Sequence, residues 1–211
     1  MKWGLLFVAA LCALALLPGL KDPRPLDTQE AQDLQVAREL IDAREALTPV
    51  LGSEPVFEKP LLAYAPDVLV RLAVPAHPLA ASRAWRAILG MLLVLVTGAT
   101  VARHLGARAG VCAAAVLATS FVLPLAVRLD GTQLIASLLA WMAIDGLTHA
   151  WFGRRGGHDA RLVTSYACLA CAAVIAGPLS ALWPLAAAAI YQALTRRPGA
   201  WRALQIGRAH V

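Results

Sequence analysis

The residues able to do chemistry crowd into one part of an otherwise apolar chain. Ten of the 13 acids lie between Asp22 and Asp67, and Gln29–Leu62 reads QEAQDLQVARELIDAREALTPVLGSEPVFEKPLL. A carboxylate in such a loop can act as a general base if it comes within hydrogen-bond reach of the proton it takes. A cation beside it can stabilise an anion that leaves. Each residue also has a plainer reading. Asp27 and Glu30 form Asp-x-x-Glu at a helix start, close to a capping box. Glu58 and Lys59 read as a loop ion pair of little energetic worth. Arg86 stands just inside an apolar span, where a cation is costly unless it snorkels or meets an anion. Asp130, in Arg128-Leu129-Asp130-Gly131, caps a turn as readily as it reacts. His77 is a lone loop histidine. Cys168 and Cys171 make a C-x-x-C string, but no histidine or second pair completes a zinc site. All four cysteines fall in apolar runs, as small packing residues do.

Composition defines what carries these residues. The chain has 211 residues, 59% hydrophobic and only 15% charged. Soluble domains run at roughly 45–50% apolar and about 25% charged. The excess lies in runs near the length of about 20 residues that a bilayer span needs. The fold class expected is all-α, a polytopic membrane protein of about six transmembrane helices. The spans read as Trp3–Leu20, Trp85–His104, Gly110–Val127, Thr132–Trp151, Leu162–Ala176 and Leu179–Leu194. Gly177-Pro178 divides the last two, as a tight turn between helices or a kink in one. No small-x-small cleavage site follows the first run, so it reads as an uncleaved span. The final Ile206–Val211, IGRAHV, reads as a translated sequencing adapter, with residues 1–205 the front part of a longer protein.

Charge orients the spans. Lys2, Arg103, Arg108, Arg154, Arg155, Arg161, Arg196, Arg197 and Arg202 fall on one side, which the positive-inside rule makes cytoplasmic. The N-terminus is then cytoplasmic and the acid-rich first loop, residues 21–82, periplasmic. The net charge of +6 is a topology signal and excludes nucleic acid as the expected partner. Trp3, Trp85, Trp151 and Trp201 fall near the expected interfaces, where an indole is stable.

A loop of that length is too long for a simple connection. Glu30–Arg44 reads as an amphipathic helix with Leu34, Ala37, Leu40 and Ile41 on one face. Asp33, Arg38, Glu39, Asp42 and Glu45 leave the other face polar. Leu61–Val74, bounded by Pro60 and Pro75, reads as a second. Both are expected to lie in the interface among membrane lipids.

The strings Gln29-Glu30, Ala37-Arg38-Glu39-Leu40, Leu47-Thr48-Pro49 and Phe57-Glu58-Lys59-Pro60-Leu61 stand in the order and spacing of a known pattern. The loop resembles the first outer loop of the polyprenyl-phosphate-dependent glycosyltransferases of the GT-C fold. It is most similar to the bacterial aminoarabinose (lipid A) transferase branch, related to the protein O-mannosyltransferases. The likeness extends more weakly to about Arg202. It implies an inverting transfer of a sugar from a polyprenyl-phosphate donor to a lipid, glycan or protein acceptor, at the outer face of the bacterial inner membrane.

Residue by residue, the resemblance implies a base among Glu30, Asp27 and Asp130. It implies donor-phosphate contacts from Lys59 and Arg86. No cofactor is certain; the resemblance allows a divalent metal with Glu58 as ligand. Two positions depart from the pattern. Gln29 stands where the family has the first acid of an Asp-Glu pair, and Ala176 where it has the Lys of Lys-Gly-Pro. These departures favour the rival expectation, a catalytically inactive GT-C-like scaffold or binding protein. A transporter, the third reading, would place its polar residues near the membrane midplane rather than in an outer loop.

Overall fold

The structure, a computed structural model, describes residues 2–20, 22, 27–42, 48–52, 54–129, 131–152 and 158–195. Side chains at 2, 3, 5, 150–152, 158, 159, 192, 194 and 195 are not among those described. Asp130, Arg154, Arg155, Arg196, Arg197, Arg202, Trp201 and the 206–211 tail therefore lie outside the described residues, as do the side chains of Lys2, Trp3 and Trp151. The described chain is helical apart from one short hairpin. It divides into two compact units, Met1–Ile135 and Ala136–Val211.

The first unit holds α1 (Lys2–Leu16), α2 (Thr28–Asp42), α3 (Leu61–Ala73), α4 (Pro78–Leu105), α5 (Ala107–Thr119) and α6 (Val122–Leu129). The hairpin β1 (Val50–Leu51) and β2 (Glu54–Pro55) lies between α2 and α3. α1 stops before the Pro18-Gly19 turn, where Gly19 has φ +80°, so the first apolar run is helical over less than its expected length. α4 begins with Pro78 at the first helical turn, a position where its missing N–H costs nothing. The helix therefore starts seven residues before the expected span and carries Ser82, Arg83 and Arg86 on its first turns. It ends at Gly106, at φ +94°.

α4 is long and apolar enough to cross a membrane on its own. At 28 residues it measures about 42 Å. The expected third span is broken: α5 and α6 pass the same criterion only together, and they bend by 57° at Ser120–Phe121. Ser120 Oγ and Thr119 Oγ1 donate to the carbonyls of Leu117 and Ala115, which serves backbone groups at the break. α4 and α5 pack against each other through small residues. A Cβ on Gly110 would stand 2.5 Å from both Ala102 Cβ and Gly98 O. Only a hydrogen fits between those backbones, the close approach on which membrane helix pairs depend. Gly110→Ala is expected to push α5 off α4 and cost about 1–3 kcal/mol, as overpacking does. A lowered melting midpoint in detergent would show it; an unchanged midpoint would contradict this packing.

α7 (Gly131–Phe152) begins at the end of the first unit and runs into the second, which also holds α8 (His158–Ala176) and α9 (Leu179–Thr195). Ala143, Cys168 and Leu169 form a buried cluster with Leu139, Tyr166 and Ala181 against it. Gly177 takes φ +87°, so Gly177-Pro178 is a turn between two helices and not a kink in one. The described cysteines are free thiols, with Cys168 buried and Cys171 exposed.

The two loop helices form where their periodicity and flanking prolines place them, but α2 buries a different face. Its buried residues are Glu30, Asp33, Val36 and Ala37, while Leu34, Leu40 and Ile41 are only half-buried. An apolar-face count assigns Asp33 to solvent. The structure turns it inward because cations on other elements meet it there.

Candidate functional site

The site grows from α2, α3, the loop before α3 and the start of α4. The hairpin is tied back to α2, since Glu39 accepts the Gly52 N–H through Oε2 at 2.8 Å and Oε1 at 3.1 Å. Gly52, at φ +70°, makes the tight turn. The Val56 N–H donates to Pro49 O at 2.8 Å, and the chain leaves the hairpin at Phe57-Glu58-Lys59. Pro60 then opens α3, so Lys59 is held between two fixed elements.

Six charged side chains meet there: Glu30 and Asp33 from α2, Lys59 from the loop, Asp67 from α3, and Arg83 and Arg86 from α4. Three acids face three bases. Glu30 is 0% exposed. Arg83 grips it with both prongs, Nε to Oε1 at 2.9 Å and Nη2 to Oε2 at 2.8 Å. Arg83 Nη1 donates onward to Asp22 O at 2.8 Å and Gly19 O at 3.2 Å. This arginine thus ties α2 and the turn after α1 to α4. Arg86 is 1% exposed. Its Nη2 lies 3.4 Å from Asp67 Oδ2 and 4.0 Å from Asp33 Oδ2, and its Nη1 lies 4.0 Å from Glu30 Oε1. Ser82 Oγ donates to the other oxygen of Asp67. Lys59 Nζ donates to both oxygens of Asp33, at 2.8 and 3.0 Å.

Burial pushes the Asp33 carboxyl above its ordinary range. Its hydrogen bond and attraction to Lys59 oppose that shift, the Asp67 charge adds to it, and Arg86 opposes it. The buried Tyr64 hydroxyl is pushed up too, first by burial and then by the charges of Asp33 and Glu58. The Arg86 side chain packs against Gly131 at the start of α7. A Cβ on Gly131 would come within 3.1 Å of Arg86 Nε. That Nε is buried without a hydrogen-bond partner among the described residues.

The sequence-expected residues divide. Glu30, Lys59 and Arg86 converge in the cluster. Glu58 is exposed beside it. Asp27 stands half-buried at the start of α2, where Oδ1 accepts from Thr28 N at 2.7 Å and from Thr28 Oγ1 at 3.1 Å. The Glu30 carboxylate of the expected Asp27–Glu30 capping box is held by Arg83. Asp130 lies outside the described residues. Asp33, Asp67 and Arg83 complete the cluster, and reading the sequence missed them. Asp33 was placed on a solvent face, and the only signal for Arg83 was its three-residue spacing from Arg86 at a helix start.

The cluster's three acids and three bases balance, so an added anion would compete with a carboxylate for its cation. Among the described residues no group of three His, Cys, Asp or Glu side chains is placed to hold an ion.

No family model matches the chain, and no curated protein matches it by sequence. Its fold is found in crystal structures of ArnT from Cupriavidus metallidurans. The apo form matches at 21% identity and TM-score 0.79, over 96% of this chain and 38% of that one. The form bound to undecaprenyl phosphate matches at 20% identity and TM-score 0.82, over 98% of this chain and 38% of that one. The chain thus spans well under half the length of that protein, and over that stretch it has the fold of ArnT.

Proposed function

We propose that this chain is the N-terminal membrane part of a glycosyltransferase that takes a sugar from a polyprenyl-phosphate donor. The acceptor is a lipid, glycan or protein at the outer face of the bacterial inner membrane. The observation that carries the reading is the convergence of Lys59 and Arg86 on one anion, the Asp33 carboxylate, within the fold of an aminoarabinose transferase. Two cations from different elements, aimed at a shared oxygen, are what a leaving phosphate needs as its charge develops. One of the matching ArnT structures was solved with undecaprenyl phosphate bound, which supports that donor class for this chain.

In this reading Lys59 and Arg86 hold the donor phosphate. An outer-loop acid takes the acceptor proton as the acceptor oxygen or nitrogen attacks the anomeric carbon from the opposite side. Asp27, Glu30 and Asp130 are the acids assigned to that role. Of the two described, Asp27 has the access a base needs, while Glu30 is enclosed by Arg83. The topology that serves this chemistry has six spans, a cytoplasmic N-terminus and a periplasmic first loop. The distribution of charge supports it: the acids of the first loop gather at the start of α4, and Arg103, His104 and Arg108 lie around its exposed end.

The second reading, an inactive scaffold of the same fold, draws on the balance of three acids and three bases, which needs no ligand, and on Gln29 and Ala176. Direct binding separates the two. Undecaprenyl phosphate titrated into the purified full-length protein in detergent is expected to bind, and Lys59→Ala to bind at least about tenfold more weakly, as loss of a charged hydrogen bond implies. Equal binding by wild type and Lys59→Ala would refute the donor site.

A further inference from the structure

The two cations assigned to the donor phosphate already share an anion. Asp33 places both carboxylate oxygens on Lys59 Nζ, and Oδ2 lies 4.0 Å from Arg86 Nη2. A carboxylate offers the same acceptor chemistry as a phosphate, paired oxygens on one centre, and cations recognise both in the same way. We propose that Asp33 is a built-in competitor, whose carboxylate fills the phosphate position between Lys59 and Arg86 and gives up Lys59 when a polyprenyl phosphate enters. The inference rests on the donor-site reading above and adds the residue that tunes its affinity.

Lys59 is the member whose side chain can turn while its backbone stays fixed. It sits in the loop before α3 with its side chain 11% exposed, on a stem of four flexible carbons. Arg86 cannot follow, because it is 1% exposed on α4, faces Asp67 and is packed on Gly131. Asp67 is the poorer competitor. Ser82 binds one of its oxygens, and the other stands 3.4 Å from Arg86. Burial favours the neutral Asp33 carboxyl over an unpaired carboxylate, so the acid can take a proton once Lys59 has turned to the phosphate. The exchange makes and breaks no covalent bond. An internal ion pair is replaced by an ion pair to the donor, and the carboxylate lost to Lys59 weakens apparent donor affinity by the free energy of the pair.

The test is undecaprenyl phosphate binding to the full-length protein in detergent, with melting midpoints taken on every sample. Asp33→Asn is expected to bind about tenfold more tightly than wild type, the ratio for a pair contributing about 1.4 kcal/mol. Asp33→Glu, which keeps the carboxylate, is expected to stay near wild type. Asp33→Ser carries the same expectation as Asp33→Asn, and stands in for it if that variant does not fold. Wild-type or weaker binding by the folded neutral variants, while Lys59→Ala still loses affinity, would overturn the competitor and leave the donor site intact. No binding by wild type, or binding indifferent to Lys59, would instead overturn the donor site itself.

Discussion

Glu30→Ala is expected to cost about 3–5 kcal/mol of stability, the range for removing one partner of a buried ion pair. Glu30 is fully enclosed, and its removal strands Arg83, itself 2% exposed, without its bidentate acid. The loss reaches beyond α2. Arg83 also binds the carbonyls of Gly19 and Asp22, so a displaced guanidinium releases the turn that follows α1. Changing Glu30 to Leu together with Arg83 to Met is expected to recover part of the loss. Replacing a whole buried pair by apolar side chains is often close to neutral, but the carbonyl contacts stay broken. The measurement is the melting midpoint in one fixed detergent. A Glu30→Ala protein that melts like wild type yet has lost transfer would mean that Glu30 is the base and not the anchor.

The second large effect falls on Lys59. Lys59→Ala is expected to lower sugar transfer by about 100-fold or more, the scale seen when one preorganised donor to a developing anion is lost. Stability should change far less than in Glu30→Ala. Lys59 stands at the edge of the cluster, and its partner Asp33 has a carboxyl that burial already inclines toward the neutral form. The pairing of outcomes is diagnostic: a fold defect without a specific transfer defect belongs to Glu30, and the reverse belongs to Lys59. A Lys59→Ala enzyme with undiminished transfer would remove Lys59 from the chemistry.

Much of this was legible in the residues. Pro60 and Pro75 bracket a helix that runs Leu61–Ala73, and the period of apolar residues finds α2 within two residues at each end. The resemblance carried by the Phe57-Glu58-Lys59-Pro60 string led to Lys59 and to Arg86, whose place within an apolar span left a functional anion and snorkelling both open. What stayed hidden depends on contacts between distant residues. Asp33 meets Lys59 26 positions away, and Glu30 meets Arg83 53 positions away. A periodicity count treats each acid as a solvent-facing charge, because nothing local shows that a cation waits across the fold. The break between α5 and α6 escaped for a related reason. Ser120 and Phe121 do not interrupt the apolar run, so composition reads one span where the backbone bends by 57°.

The departure at Gln29 also takes on a shape. The front of the loop lacks one acid of the expected pair, and its neighbour Glu30 is committed to Arg83. The donor end is complete by comparison, with Lys59 and Arg86 brought to one anion. Under the proposed function the base falls to Asp27 or Asp130, and Asp33 and Asp67, paired with the cations assigned to the donor, have no part in taking the proton.

The cluster's proposed role is transfer from a polyprenyl-phosphate sugar. Its most direct test is to incubate the full-length protein with a polyprenyl phosphate carrying a labelled sugar, in bacterial envelope extract that supplies acceptors. Label is expected to leave the donor for an acceptor, free polyprenyl phosphate to accumulate in equal amount, and both to fall by about 100-fold in Lys59→Ala. A folded wild-type protein that binds the donor and never releases its sugar would contradict it.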